Sequence, residues 1–427
     1  MRLRCRGAAL LAAALLPMFL AAGCMESGRT NPTEPSAHSE SPTREPEATP
    51  APSPTPTPVP TPPPPVEATL VAIGDVMMHK PMIPGAYDEE SGTYDFTGFF
   101  APLRDVFQNA DWAVANLETP IAGDDRGFPG YPRFNAPVAL ADALKDAGFD
   151  VVSTANNHSL DQNYSGLVHT LEVLRERGVL PVGTADSHDA AEAVAMLERN
   201  GIKNAFLSYT YGTNGIPIPK DHPYAVNLID DERIASDIAK ARAQDADVVT
   251  VSLHFGNEYQ RNPTDEQRRL AEHAIRSGAD VVLGHHPHVV QPYEIIRVKN
   301  ADGTEREGAV IYSLGNFVSN QFGDYKEYGA VFEVTFRKTY DADGGSVTSV
   351  SSVDAFPTWV HKYMSGGKAR YRVLSLESIS PETDDPLLTA RMLSELAEKS
   401  EEMTRHLNKF VLAAQAETNE EAVKSSP

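Results

Sequence analysis

The chain has 427 residues, with 37 Lys and Arg against 59 Asp and Glu, a formal net charge of −22. That balance argues against a nucleic-acid footprint, which needs a basic face, and against electrostatic docking on anionic lipid. The two cysteines, Cys5 and Cys24, both lie within the first 24 residues, so a folded domain must close by ordinary burial, for which roughly 300 residues suffice.

Residues 1–24 read as an export signal. Arg2, Arg4 and Arg6 precede an apolar stretch over 8–22 that is too short for a comfortable membrane span and suits a signal sequence. It ends Leu20-Ala21-Ala22-Gly23-Cys24, which resembles a bacterial lipobox. The resemblance implies cleavage before Cys24, a diacylglycerol on its sulfur and an extracytoplasmic lipoprotein anchored to the membrane. The plainer alternative is an ordinary secretory signal followed by a free cysteine. Residues 25–66 alternate Pro with Thr, Ser and Glu, a composition that buries no core and favours an extended tether. The folded domain is expected over 67–380, with an acidic helix and tail over 381–427.

From Ala68 onward short apolar runs alternate with helical patterns. Strands are expected over 69–74, 111–115, 150–154, 179–182, 204–209, 247–253 and 281–283, and helices over 138–147, 164–177, 190–198, 231–244 and 265–277. Alternation of this kind predicts an α/β domain with a largely parallel sheet. After Gln291 successive strands over 293–298, 309–314, 330–336 and 347–356 predict an antiparallel portion, and 386–417 reads as a helix packed on the domain surface.

Polar clusters follow five of the strands: Asp75, Glu118, Asn157-His158, His254 and His286/His288. The last lies in Val281–Val290, V-V-L-G-H-H-P-H-V-V, where a buried strand stops at Gly284 and Pro287 stiffens the loop. A lone Asp at a strand end is more often a helix cap, and a lone His is more often structural. Five clusters at corresponding ends are hard to assign to caps, and ligands of open α/β sheets bind at the strands' carboxyl ends. Carboxylate, amide oxygen and imidazole suit Mn, Fe, Zn or similar ions, so a site for one or two divalent metal ions is expected. No Walker-type Gly-rich loop occurs, so nucleotide-driven ligation is unsupported.

The order Asp, Glu, Asn-His, His, His-x-His resembles the calcineurin-like metallophosphatase plan. The words Gly74-Asp75-Val76-Met77, Asn116-Leu117-Glu118, Ala155-Asn156-Asn157-His158-Ser159-Leu160-Asp161, His254-Phe255-Gly256-Asn257-Glu258-Tyr259, Gly284-His285-His286-Pro287-His288-Val289 and Ser313-Leu314-Gly315-Asn316-Phe317 resemble the CapA family of poly-γ-glutamate capsule proteins more closely. The resemblance implies a metallophosphatase-like four-layer αββα sandwich with mixed sheets. By the same plan, Asp75 binds a first metal and Glu118 stands at the bridging position. Asn157 binds a second metal through its amide oxygen, and His254, His286 and His288 complete the set. His158 contacts substrate and can protonate a leaving group. Asp161 either orients His158 or caps the next helix. His285 is the less secure of the three clustered histidines. Glu258 and Tyr259 are candidates for lining a groove.

One position departs from the plan. Met77 stands where phosphatases carry a histidine ligand, and Met is a poor ligand for a hard ion. His79 is a conceivable substitute, although a loop or helix start suits it better. The expected function is handling of an anionic cell-surface polymer, poly-γ-glutamate or similar, alongside other capsule-synthesis membrane proteins. A metal-dependent hydrolase or transferase, a phosphoesterase and a non-catalytic polymer-binding envelope factor stand as alternatives.

Overall fold

A computed structural model describes residues 62–299, 303 and 305–415. The expected signal, Cys24, the tether up to residue 61 and the tail from residue 416 lie outside the described residues. Among the described residues no helix is long and apolar enough to cross a membrane.

Side chains alternate faces along a strand, and here both faces are apolar, so each sheet must be covered twice. One sheet has eight strands, in the order Lys368–Ser375, Ser346–Ser365, Tyr328–Tyr340, Val66–Val76, Trp112–Leu117, Val151–Ser153 and Leu180–Val182, with Asn316–Val318 paired to Val66–Val76 off that path. Pairing is parallel from Val66–Val76 to Leu180–Val182 and antiparallel on the other side. The second sheet has six strands, in the order Val290–Lys299, Glu305–Leu314, Val281–His285, Val248–His254, Ile202–Thr210 and Ala195–Arg199. Its four central strands are parallel and its edges antiparallel.

Strand alternation assigns residues to three cores. Leu70, Ala72, Trp112 and Val114 of the first sheet meet Phe206, Val281, Leu283 and Ile311 of the second. Val71, Ile73, Ala113 and Ala115 face the other way, onto Leu140, Leu144 and Leu174 of helices Ala139–Ala147 and Asn163–Glu176. Val249, Val251, Val282 and Val310 pack under Ile234, Ile238, Leu270 and Ile275 of helices Asp231–Ala243 and Asp265–Ser277. The layers are therefore helix, sheet, sheet, helix, as the sequence resemblance implies, and both sheets are mixed. Cutting a fully buried inner residue such as Leu283 back to Ala is worth ~2–5 kcal/mol of destabilisation.

The helix expected over 190–198 is corrected. Only His188–Glu192 is helical, with the Ser187 hydroxyl accepting from the Ala190 N–H, and Ala195–Arg199 is an edge strand. It pairs antiparallel with Ile202–Thr210 across Asn200-Gly201, whose φ values of 52° and 75° make a two-residue hairpin turn. The strand expected over 347–356 extends over Ser346–Ser365 and continues into Lys368–Ser375, which the sequence reading missed. The helix expected over 386–417 is Ala390–Leu407, with helical backbone resuming over 409–415 after Asn408, and its Leu393, Leu396, Met403 and Leu407 join the inner core.

Candidate metal centre

Parallel strands carry the polar clusters to one end of the sandwich. Asp75 lies opposite Asn116 and Asn316 in the first sheet, and His285 lies opposite His254 in the second. The strand Val281–His285 passes so close to Glu305–Leu314 at Gly284 that a Cβ there would sit 2.0 Å from the Tyr312 carbonyl oxygen. Beyond it, His286 and His288 adopt φ of 95° and 57°. Left-handed backbone at a non-glycine residue is strained and is held only by its surroundings. Here the Tyr259 N–H donates to the Pro287 carbonyl at 2.7 Å and the Phe255 N–H to the His285 carbonyl at 3.1 Å.

Among the described residues three groups of potential ligands result, and Glu118 belongs to two of them. In one of these two, a ligand atom each from Asp75, Glu118 and His288 lie within 4.8 Å of one another; in the other, the same holds for Glu118, His254 and His286. Glu118 is common to both, as a bridging carboxylate must be. The second group gains the Asn157 amide oxygen, 3.1 Å from His254 Nε2. Around the first, His288 Nδ1 is 3.1 Å and His285 Nδ1 3.5 Å from the Asp75 carboxylate.

Both carboxylate oxygens of Glu118 are buried without a hydrogen-bond partner, as are Nε2 of His285 and Nδ1 of His286. Burial, and then the adjacent Asp75 charge, push the Glu118 carboxyl well above its ordinary value. Burial works the same way on Asp75, but the imidazoles of His285 and His288 outweigh it and hold that carboxyl well below the usual range. Burial and then neighbouring His286 push His254 well below an ordinary histidine, and burial with His288 lowers His286 to about 4. These are neutral imidazoles with lone pairs, facing carboxylates. Acceptors facing acceptors in a dry site are costly unless a cation lies among them, so the donor set fits a divalent ion.

His158 and Asp161 lie beside this cluster. His158 Nδ1 is 2.8 Å from Asp161 Oδ2, which also accepts the Phe134 N–H at 2.7 Å. Asp161 does not cap the helix Asn163–Glu176, whose N-cap is Gln162, so of its two expected roles the geometry carries the orienting one. The Phe134 ring meets His158 edge-on, with centroids 4.8 Å apart. Met77 is buried, and its thioether suits a hard divalent ion poorly. His79 does not replace it: its Nδ1 lies 3.3 Å from the Met77 carbonyl oxygen and from the Asn320 nitrogen, at the start of the short helix Lys80–Met82.

Two site residues escaped the sequence reading. Asn116 donates to Asp75 Oδ1 at 2.8 Å and lies 3.5 Å from His254 Nδ1; its place in the Asn116-Leu117-Glu118 word was the available signal. Tyr211 stacks parallel to His254 and tilts against His286 at 4.7 Å. It is half exposed, and nothing in the local sequence marks it.

Helix–sheet–sheet–helix layering with carboxylate, amide and imidazole groups gathered at the strand ends defines a metallophosphatase-like domain. The family profile described as Bacterial capsule synthesis protein matches residues 69–321, and the chain belongs to that family. It is 29% identical over 314 residues to the PGA biosynthesis protein CapA of Bacillus subtilis (strain 168), a match covering 72% of this chain and 77% of that one. To the Capsule biosynthesis protein CapA of Bacillus anthracis it is 28% identical over 263 residues, 59% of this chain and 60%, less than two thirds, of that relative. Similar solved structures include a 5'-nucleotidase precursor from Thermus thermophilus, with TM-score 0.42 and 16% identity over 82% of this chain and 59% of that one. The calcineurin-like phosphoesterase YfkN from Bacillus subtilis gives TM-score 0.38 and 15% identity over 80% and 98%.

Proposed function

We propose that this chain is a lipid-anchored extracytoplasmic protein that processes an anionic capsule polymer, poly-γ-glutamate or similar, at a centre of one or two divalent cations. The observation that carries this reading is Glu118: a buried carboxylate with no hydrogen-bond partner, shared by two groups of potential metal ligands, one with Asp75 and His288 and one with His254 and His286. A cation there also answers an electrostatic problem. A chain of net charge −22 repels a polyanion unless the site itself is positive.

A bound divalent ion would polarise the scissile carbonyl or phosphoryl oxygen and acidify water. The protein's own contribution is orientation and proton transfer. Asp161 keeps the His158 Nδ1 proton in place, which leaves Nε2 to serve the substrate and to protonate a departing amine or alkoxide. Asn116 holds Asp75 by a hydrogen bond, and the Tyr211 ring packs against His254 and His286. The chemistry is cleavage or transfer at a γ-amide, with phosphate-ester hydrolysis as the related alternative.

The test is elemental analysis of the purified full chain after dialysis, joined to turnover of poly-γ-glutamate and of a phosphate ester by wild type, Asn157→Ala and His158→Ala. Unchanged turnover in both variants refutes the catalytic assignment. The Met77 departure favours a second reading, in which the site grips polymer without cutting it. Polymer binding by metal-free protein, with no product released, supports that reading instead.

A further inference from the structure

We propose that Glu258 is a metal-binding residue of this chain, the solvent-side carboxylate of a cation position shared with His286 and His288. The proposal rests on the metal-centre reading above and adds a donor outside the expected ligand set.

Glu258 lies on the loop that follows the strand Val248–His254. Backbone bonds pin that loop on both sides of Glu258, through Phe255 to His285 and through Tyr259 to Pro287. The second bond joins it to the residue between the two histidines. Gly256 and Tyr259 have φ of 93° and 66°, so the loop turns sharply at both ends of the Asn257-Glu258 pair. The outcome is that ligand atoms of Glu258, His286 and His288 all lie within 4.8 Å of one another. Glu258 is exposed whereas both histidines are buried, which puts the carboxylate on the open side of the cluster. Burial, and then the neighbouring Glu258 carboxylate, push Tyr259 up to about 12.

Coordination chemistry gives this donor a purpose. Mn and Mg prefer six oxygen-rich ligands and Zn four, whereas Asp75, Glu118 and His288 are three side chains and the Met77 thioether suits a hard ion poorly. Glu258 adds a carboxylate within 4.8 Å of ligand atoms of His286 and His288. It leaves three carboxylates against two dications, still a positive centre for an anionic polymer. An exposed ligand is also the one best placed to give way to substrate.

The experiment is calorimetric titration of the chelator-stripped full chain with Mn²⁺ alone, and visible spectroscopy with Co²⁺, on wild type, Glu258→Gln, Tyr259→Phe and Glu266→Gln. Glu266 is an exposed carboxylate paired with Arg269, well outside the ligand groups. Glu258→Gln is expected to lose one Mn²⁺ equivalent or to weaken binding by ~10-fold or more, and to alter the Co²⁺ bands. Tyr259→Phe should leave the bands in place and Glu266→Gln should change nothing. Wild-type stoichiometry, affinity and bands in Glu258→Gln overturn the assignment while leaving the metal centre standing. Absence of Mn²⁺ and Co²⁺ binding by wild type overturns both.

Discussion

Replacing Glu118 with Gln is expected to stabilise the metal-free protein while removing its stabilisation by metal. The Glu118 side chain is completely buried, and both its oxygens lack hydrogen-bond partners. The nearest imidazole nitrogens, His254 Nε2 and His288 Nε2, stand at 3.5 Å and 3.8 Å, and Asp75 supplies a like charge. Gln keeps the length and loses the charge, and its amide can donate to a neutral imidazole. Relief of one buried unsatisfied group is worth ~1–3 kcal/mol. At an unfolding entropy of ~2.1 cal/mol/K per residue, a folded region of ~350 residues gives ~0.7 kcal/mol/K, so Tm should rise ~1.5–4 °C. Metal at about a hundred times its Kd adds ~2.7 kcal/mol to wild type, or ~4 °C, and little to the variant.

Thermal unfolding in chelator and in excess Mn²⁺ reads both effects. The variant's lead in chelator should be cancelled or reversed in excess Mn²⁺. The pH dependence has a definite sign as well. Glu118 has its folded value raised above the ordinary 4.5, so the wild-type penalty is full above the folded value and disappears below 4.5. The variant's advantage in chelator should therefore shrink as pH falls. A variant less stable than wild type in chelator, or equally stabilised by Mn²⁺, refutes the reasoning.

Other substitutions separate chemistry, positioning and packing. His158→Ala should lower turnover by ~10²–10⁴-fold with metal content unchanged, and Asp161→Asn should lower it in the same direction; loss of metal in either would reassign them. Tyr211→Ala removes the ring that packs on His254 and His286, so Mn²⁺ affinity should fall ~10-fold, as calorimetry can show. Gly284→Ala places a methyl group against the Tyr312 carbonyl and should lower the urea-derived stability by ~3 kcal/mol or more. His361, buried and then disfavoured further by Arg372, is lowered from 6.5 to about 4, so the fold keeps it neutral while the unfolded chain protonates it. Stability from this group is present above pH 6.5 and is lost as pH falls toward 4, and urea midpoints across that window should flatten in His361→Gln.

The layers were legible because buried parallel strands are continuous apolar runs. Val281, Val282 and Leu283 announce a strand with two covered faces, and the sequence then needs helices to cover one of them. The hairpin at Asn200-Gly201 was harder to see. Ala195–Arg199, A-M-L-E-R, is built from good helix formers, and only pairing with Ile202–Thr210 makes it a strand. Tertiary pairing overrode local preference there, although the Asn-Gly turn was visible. By contrast Lys368–Ser375, K-A-R-Y-R-V-L-S after Gly366-Gly367, carries the polar–apolar alternation of a strand, and its pairing with Ser346–Ser365 follows from it.

The site divides along the same line. Asp75, Glu118, Asn157, His254, His286 and His288 could be found because each follows an apolar run, and position at a strand end is a local property. What each one touches is a property of the sheet-on-sheet contact. His254 reaches Asn157 only because a strand of the second sheet ends against a loop of the first, 97 positions away in the chain. Asn156 and Asn157 illustrate the limit. They are identical in type and adjacent, yet Asn156 donates to the Leu117 carbonyl and accepts from the His158 N–H, spending its amide on the loop. Asn157 is left to face His254. Tyr211 belongs wholly to this second kind of information, and Glu258, legible only as a candidate for lining a groove, gains its place beside His286 and His288 in the same way. Both lie on loops that become neighbours of the histidines only after the two sheets have closed, so side chains on loops between the known clusters are where further ligands of the candidate centre should be sought.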